Sequence, residues 1–257
     1  MTYITNKDFL IEVAKGNVPG HELITKFGRS AAVPAAFAPL SFGGNYRTPQ
    51  VGALTALRIK AGGNANDDAA GSGAREITIE VLDQTGALQT EVLATAGASA
   101  SADTSIAVLR LNGWYVSKSG TYATQSAGSH AADIELEDTG ANSWSIIDAT
   151  GFPKGQSQIG CYTVPLGKKA YLLDYSLTVD SGKSIDAVFF KRENILQTSA
   201  PYDAMRTVLE HAGIVDKISE EIPGAIEFNE LTDIGWMVQG ASTPKADVTF
   251  RILLVDQ

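Results

Sequence analysis

The stretch Gly160–Val179, GCYTVPLGKKAYLLDYSLTV, decides the fold class. Tyr162 and Val164 lead into Pro165-Leu166-Gly167-Lys168, after which Tyr171, Leu173, Tyr175, Leu177 and Val179 alternate with Leu172, Asp174, Ser176 and Thr178. A period of two sends successive side chains to opposite faces of a pleated strand, one face apolar and one wet. Pro165 presets φ for a turn, and Gly167 supplies the positive φ of a tight reversal. The unit therefore reads as a β-hairpin whose second strand half-buries in a core.

Working outward, the same grammar recurs. Towards the C-terminus, strands are expected over Ile185–Arg192, Met205–His211, Ile226–Phe228, Ile234–Val238 and Val248–Val255. The last is the clearest, with Val248, Phe250, Ile252 and Leu254 on one face and Asp247, Thr249 and Arg251 on the other. Residues 203–212 also fit a helix capped by Asp203 and stopped by Gly213, but their neighbours are strands and the strand reading is preferred. Towards the N-terminus, Leu54–Ile59, Ile77–Val81, Leu88–Val92, Ile106–Val116, Ile134–Leu136 and Trp144–Ile147 read as short strands. The turn Asp83-Gln84-Thr85-Gly86 and small-residue loops such as Gly62–Gly73 separate them.

Such spacing predicts an all-β protein of two β-sandwich domains, jelly-roll or Greek-key in type, over 51–150 and 151–257. Residues 1–50 are expected as an N-terminal arm and connector. Asn6 or Asp8 caps a short helix carrying Phe9, Leu10, Ile11 and Val13, and Gly16 ends it. About two turns are too few to stand in water without a partner surface, so this segment either packs on its own body or docks on another subunit, the second reading being preferred. Pro34, Pro39 and Pro49 keep the following connector irregular, while Phe37, Leu40 and Phe42 lay it against protein.

Composition narrows function. The chain has 257 residues, 44% hydrophobic and 19% charged, with 20 Lys plus Arg against 29 Asp plus Glu and a formal net charge of −9. An acidic chain with unclustered basic residues repels a polyanion, which argues against nucleic-acid binding. No run of about 18 apolar residues occurs, so no membrane helix is expected, and the first residues lack the pattern of a secretion signal. Cys161 is the sole cysteine; it reads as a small buried hydrophobe, and no intrachain disulfide can form.

Catalytic and ligand signatures are sparse. Ser181-Gly182-Lys183-Ser184 lacks the first glycine of a phosphate-binding loop and reads as a hairpin turn. Asn64-Ala65-Asn66-Asp67-Asp68 offers oxygens without the spacing of a calcium loop, and reads as a solvated surface loop. His21, His130 and His211 are too scattered for zinc. Glu220-Glu221 and Asp67-Asp68 are neighbours whose side chains diverge in a strand, hence poor acid–base couples. Trp114, Trp144 and Trp236 read as core anchors; exposed, they could stack on a glycan. No cofactor and no enzymatic activity are expected.

Four stretches carry a resemblance: Lys15–Arg29 (KGNVPGHELITKFGR), Leu57–Gly86, Gly128–Asp138 with Gln156–Leu172, and Phe250–Gln257 (FRILLVDQ). On these the chain resembles a family of virion structural proteins from tailed bacteriophages, especially those of marine bacteria. The resemblance implies an all-β particle component, made in the host cytoplasm and carried on the outer surface of the head as a decoration or cement protein. Its partner would be the major capsid protein, and a local threefold axis would favour a homotrimer. Lys15, Asn17, Pro19, His21, Lys26, Phe27 and Arg29 are the residues expected to grip the shell, and deleting residues 1–30 is expected to leave the sandwiches folded. The alternative is a tail, neck or fibre component with a receptor- or carbohydrate-binding role.

Overall fold

The structure is a computed structural model and describes residues 8–44, 46–47, 54–124 and 128–257. Pro49 and the expected start of the first sandwich at residue 51 lie outside the described residues, as does Asn6. Asp8 is the N-cap of α1 (Phe9–Ala14), its carboxylate accepting from the Leu10 N–H at 3.0 Å. Next come β1 (His21–Ser30) and β2 (Ala38–Pro39). The first sandwich uses β3 (Leu57–Ile59), β4 (Ala74–Leu82), β5 (Leu88–Ala94), β6 (Arg110–Ser119), β7 (Ile134–Asp138) and β8 (Ser143–Ile147). The second adds β9 (Cys161–Thr163), β10 (Lys168–Val179), β11 (Ser184–Arg192), β12 (Arg206–Val215), β13 (Lys217–Phe228), β14 (Asp233–Gln239) and β15 (Ala246–Asp256).

These strands form antiparallel sheets ordered β5-β4-β6 and β3-β7-β8 in the first sandwich. In the second they are ordered β1-β15-β10-β13 and β12-β11-β14-β2, with β9 also on β14. The alternation in β15 holds as expected: Val248, Phe250, Ile252 and Leu254 are buried in the core between the last two sheets. Residues 206–215 are a strand, β12, in agreement with the preferred reading.

The opening stretch departs from expectation in two ways. It is not a hairpin: β9 pairs with β14 in one sheet, whereas β10 lies between β13 and β15 in the other. The Pro165–Lys168 turn forms, with Gly167 at φ 76° and the Lys168 N–H donating to the Pro165 carbonyl, but it carries the chain from one layer to the next. Ser181–Ser184 likewise joins β10 to β11 across the layers and is no hairpin turn. Turn chemistry fixes a reversal, not which edges pair afterwards. Secondly, a bulge between Leu172 and Asp174 shifts the phase of β10, so Ala170 and Leu172 face the core before it and Tyr175, Leu177 and Val179 after it. Tyr171 and Leu173 were expected on the buried face and are not.

In the sheet β12-β11-β14-β2, strands β9 and β14 are buried on both faces, while β12 at its edge stays largely exposed. Phe189 and Trp236 enter the core of the second sandwich, while their chain neighbours Phe190 and Met237, with Cys161, pack into the first. A strand sealed on both sides loses its polar face, hence the unbroken buried run Asp233-Ile234-Gly235-Trp236. The two sandwiches are thus fused along β9, β11 and β14, whose side chains enter both cores, and are not beads on a linker.

Within this seam sits a carboxylate. Asp233 takes Arg110 Nε at 3.0 Å and Nη2 at 3.1 Å from β6, Arg192 Nη2 at 2.9 Å from β11, and the Thr163 hydroxyl at 2.7 Å from β9. Arg110 and Asp233 are fully buried. Beside it the Asn112 amide imitates a strand, accepting from the Thr163 N–H at 2.8 Å and donating to the Thr163 carbonyl at 2.9 Å. Removing one partner strands buried charge, and typical costs are about 3–5 kcal/mol. Asp233→Asn is expected to lower unfolding free energy by about that amount, read by urea denaturation; a loss under about 1 kcal/mol would deny the network its role.

Candidate interaction groove between the sandwiches

Residues 21–30, expected within the arm, pair with β15 from His21↔Val255 to Ser30↔Ala246 without a bulge. The reason is compositional: Ile24, Lys26, Gly28 and Ser30 alternate inward while Leu23, Thr25, Phe27 and Arg29 alternate outward, a strand pattern hidden by its polar members. Ile24 packs on the second core. Deleting residues 1–30 would therefore remove a structural edge strand together with α1, so the expectation that the fold survives that cut does not hold on this architecture.

Between β1 and the first sandwich runs a groove of about 520 Å³. Glu22–Phe27 form one wall; Glu80, Leu88, Gly113 and Tyr115 form the other, with Tyr162 also lining it. The groove ends where Gln156–Gly160 crosses between sandwiches. There a Cβ on Gly28 would lie 2.4 Å from the Gly160 Cα, so only glycine allows the two backbones to meet.

Lys26 points into this groove. Its ammonium donates to the Asn112 carbonyl of β6 and lies 5.9 Å from the centre of the Tyr162 ring. Burial pushes its pKa down to about 8, with Glu80 pulling weakly the other way. The hydrogen bond to Asn112, rather than the charge that burial disfavours, pins β1 to the first sandwich. The remaining sequence-expected residues do not converge with it. Lys15 and Asn17 both bind Glu12, at 3.1 Å and 2.7 Å, just after α1. The Pro19 carbonyl lies 2.9 Å from His21 Nδ1, and His21 meets the Phe9 ring edge-on at 5.7 Å. Phe27 is half-buried at the groove's edge, and Arg29 Nε faces Asp247 Oδ1 at 3.6 Å across the β1–β15 ladder.

Other sequence candidates resolve into structure. Asp67, expected in a solvated loop, is buried and accepts from the N–H groups of Ala74, Ala131 and Ala132, tying two loops together. Both of its carboxylate oxygens are occupied by these amides. Trp114, Trp144 and Trp236 are all buried, so none is displayed for stacking on a sugar. Burial likewise drives the Cys161 thiol pKa upward. His211 stacks on Trp236 and shares a hydrogen-bond chain with Tyr175 and Glu220, the Tyr175 oxygen lying 2.6 Å from Nε2 and 2.5 Å from Oε2. Among the described residues no group of three or more His, Cys, Asp or Glu is placed to hold a metal, and no helix is long and apolar enough to cross a membrane.

The sequence reading missed Arg110, Arg192 and Asp233. The available signal was phase: Arg192 stands on the inward beat after Phe190, and Arg110 interrupts an apolar run, Val108-Leu109-Arg110-Leu111. A charge on an inward beat asks for a buried partner.

No family model and no curated protein matches the chain. Among solved structures it is similar to the T=1 particles derived from infectious bursal virus, at 10% identity over 92% of this chain and 74% of that one, with a TM-score of 0.21. It is also similar to infectious bursal disease virus of the Gt strain, at 8% identity over 97% and 81%, TM-score 0.19. A third is the VP2 subviral particle of infectious bursal disease virus, at 9% identity over 96% and 82%, TM-score 0.19. Likeness of this size carries no argument about fold or role.

The lysine pin has a pH signature. Because Lys26 titrates near 8 when folded and near 10.5 in a free chain, the unfolded state binds more protons between those values. Stability contributed by this group therefore rises as pH climbs from about 8 to about 10.5 and is flat below. Lys26→Met is expected to remove that increment; denaturation midpoints across the window that change alike in both proteins would contradict it.

Proposed function

We propose that this chain is a non-enzymatic structural protein of a tailed-phage virion, bound to the outer surface of the head as a decoration or cement protein and bridging subunits of the major capsid protein. The observation that carries the reading is the division of labour at the N-terminus. Two fused sandwiches, pinned by buried ion pairs, make a stiff body, and α1 stands at its surface with Phe9 and Ile11 about half-exposed. Phe9 and Ile11, half-exposed on a short surface element, offer a partner apolar area to cover. The all-β fold and the sequence resemblance support the same role.

The gripping element is α1 with its following turn, and Lys15 supplies an exposed cation beside it. Lys26 serves the seam instead. A homotrimer at a local threefold axis would multiply three weak grips into a firm one.

Particle labelling with an antibody against residues 40–257 is expected to place dense gold over heads. Gold confined to the tail or one vertex would transfer the protein to the tail, neck or fibre role, and unlabelled particles would end the virion reading. A variant lacking residues 1–16 retains β1, so it is expected to stay folded, at a somewhat lower denaturation midpoint for the loss of buried Val13, and to lose binding to heads; undiminished binding would clear α1 of the gripping role.

A further inference from the structure

We infer that the free edge of β1 is a strand-addition site for an extended, basic segment of another chain. The direction of the backbone groups follows from two hydrogen bonds. The Arg29 N–H donates to the Gln158 carbonyl at 3.4 Å, and the His21 N–H to the Val18 carbonyl at 3.3 Å. Both point away from β15. In an antiparallel ladder alternate residues share a direction, so the N–H and C=O groups of Leu23, Thr25 and Phe27 also point away from β15, into the groove. Among the described residues no strand pairs with that edge over residues 21–27. The open positions span about 13 Å, at about 3.3 Å per residue.

The opposite edge of the same sheet is defended. β13 carries Pro223, Gly224 at φ 80° and Ala225 at φ 57°, where its ladder with β10 breaks. Proline and bulges are the usual devices against unwanted pairing. β1 has neither over its open stretch. What protects it is the neighbouring wall of Glu80, Gly113 and Tyr115. A groove excludes another folded sheet and admits a single extended segment, which gains main-chain hydrogen bonds from the edge.

Charge selects the occupant. The exposed Glu22 and Glu80 face the groove from opposite walls, while the Lys26 ammonium is engaged with the Asn112 carbonyl. A segment bearing lysine or arginine meets two carboxylates; an acidic one meets repulsion. The inference stands apart from the virion role: a peptide titration needs no particle, and particle labelling needs no open edge.

The test adds a capped six-residue peptide of alternating valine and lysine to the full chain and follows amide exchange residue by residue. Exchange at Leu23, Thr25 and Phe27 is expected to slow about tenfold or more, with Ile24 and Lys26, already in the ladder, unchanged. Thr25→Pro deletes an outward N–H without touching the β15 ladder, a position where an edge strand tolerates proline, and is expected to weaken binding about tenfold. The double change Glu22→Lys with Glu80→Lys is expected to exchange the preference for a valine–glutamate peptide, and does not rely on the proline variant folding. No slowing at the three amides, equal binding of the acidic peptide to the unaltered protein, or undiminished binding by folded Thr25→Pro protein would each overturn the assignment. So would slowing that depends on protein concentration alone, which would make the occupant a second copy of this chain.

Discussion

Asp233 is the group on which the arrangement of the two sandwiches rests. It draws one guanidinium from β6 of the first sandwich and another from β11 of the second, and holds the Thr163 hydroxyl between them. Burying charge is costly, and apolar residues of the same volume often stabilise a fold as well. A bidentate pair adds direction: Arg110 meets both carboxylate oxygens, so β6 cannot slide along β14 without losing one of them. Apolar contacts such as Phe190 and Met237 in the first core supply cohesion without that register.

The seam explains why β14 has no wet side and why the groove has firm walls. One wall is a strand of the second sandwich, the other the outer face of the first, and their separation is set by Asp233, Asn112 and Lys26 together. The Asn112 amide takes over the hydrogen bonds that a continuing strand would give Thr163, satisfying buried backbone where two sheets meet. Lys26 spans the same junction from β1. Polar side chains thus work here as backbone substitutes.

The N-terminal segment separates into parts with different physics. α1 has too few residues to be stable alone and is held by a capping aspartate and contact with β1. β1 is an integral edge strand, and its inward residues belong to core and seam. The seven residues expected to grip a shell sort accordingly: Lys15, Asn17 and Pro19 lie in the exposed turn, His21 starts the strand, and Lys26, Phe27 and Arg29 belong to the sheet and its groove.

The sequence by itself determined that this is an all-β protein, where most strands run, and that Trp114, Trp144, Trp236 and Cys161 are interior. These follow from local period-two patterning and residue hydrophobicity, properties that each segment carries on its own. It did not reveal β1, whose inward positions include a lysine, a glycine and a serine, nor the bulge that changes the phase of β10. Only the tertiary structure decided that β9 and β10 belong to different sheets, that β9, β11 and β14 feed both cores, and that Arg110 finds Asp233 across 123 residues. Pairing partners and buried ion pairs are set by long-range closure, where many edges and charges compete and a local pattern carries no address.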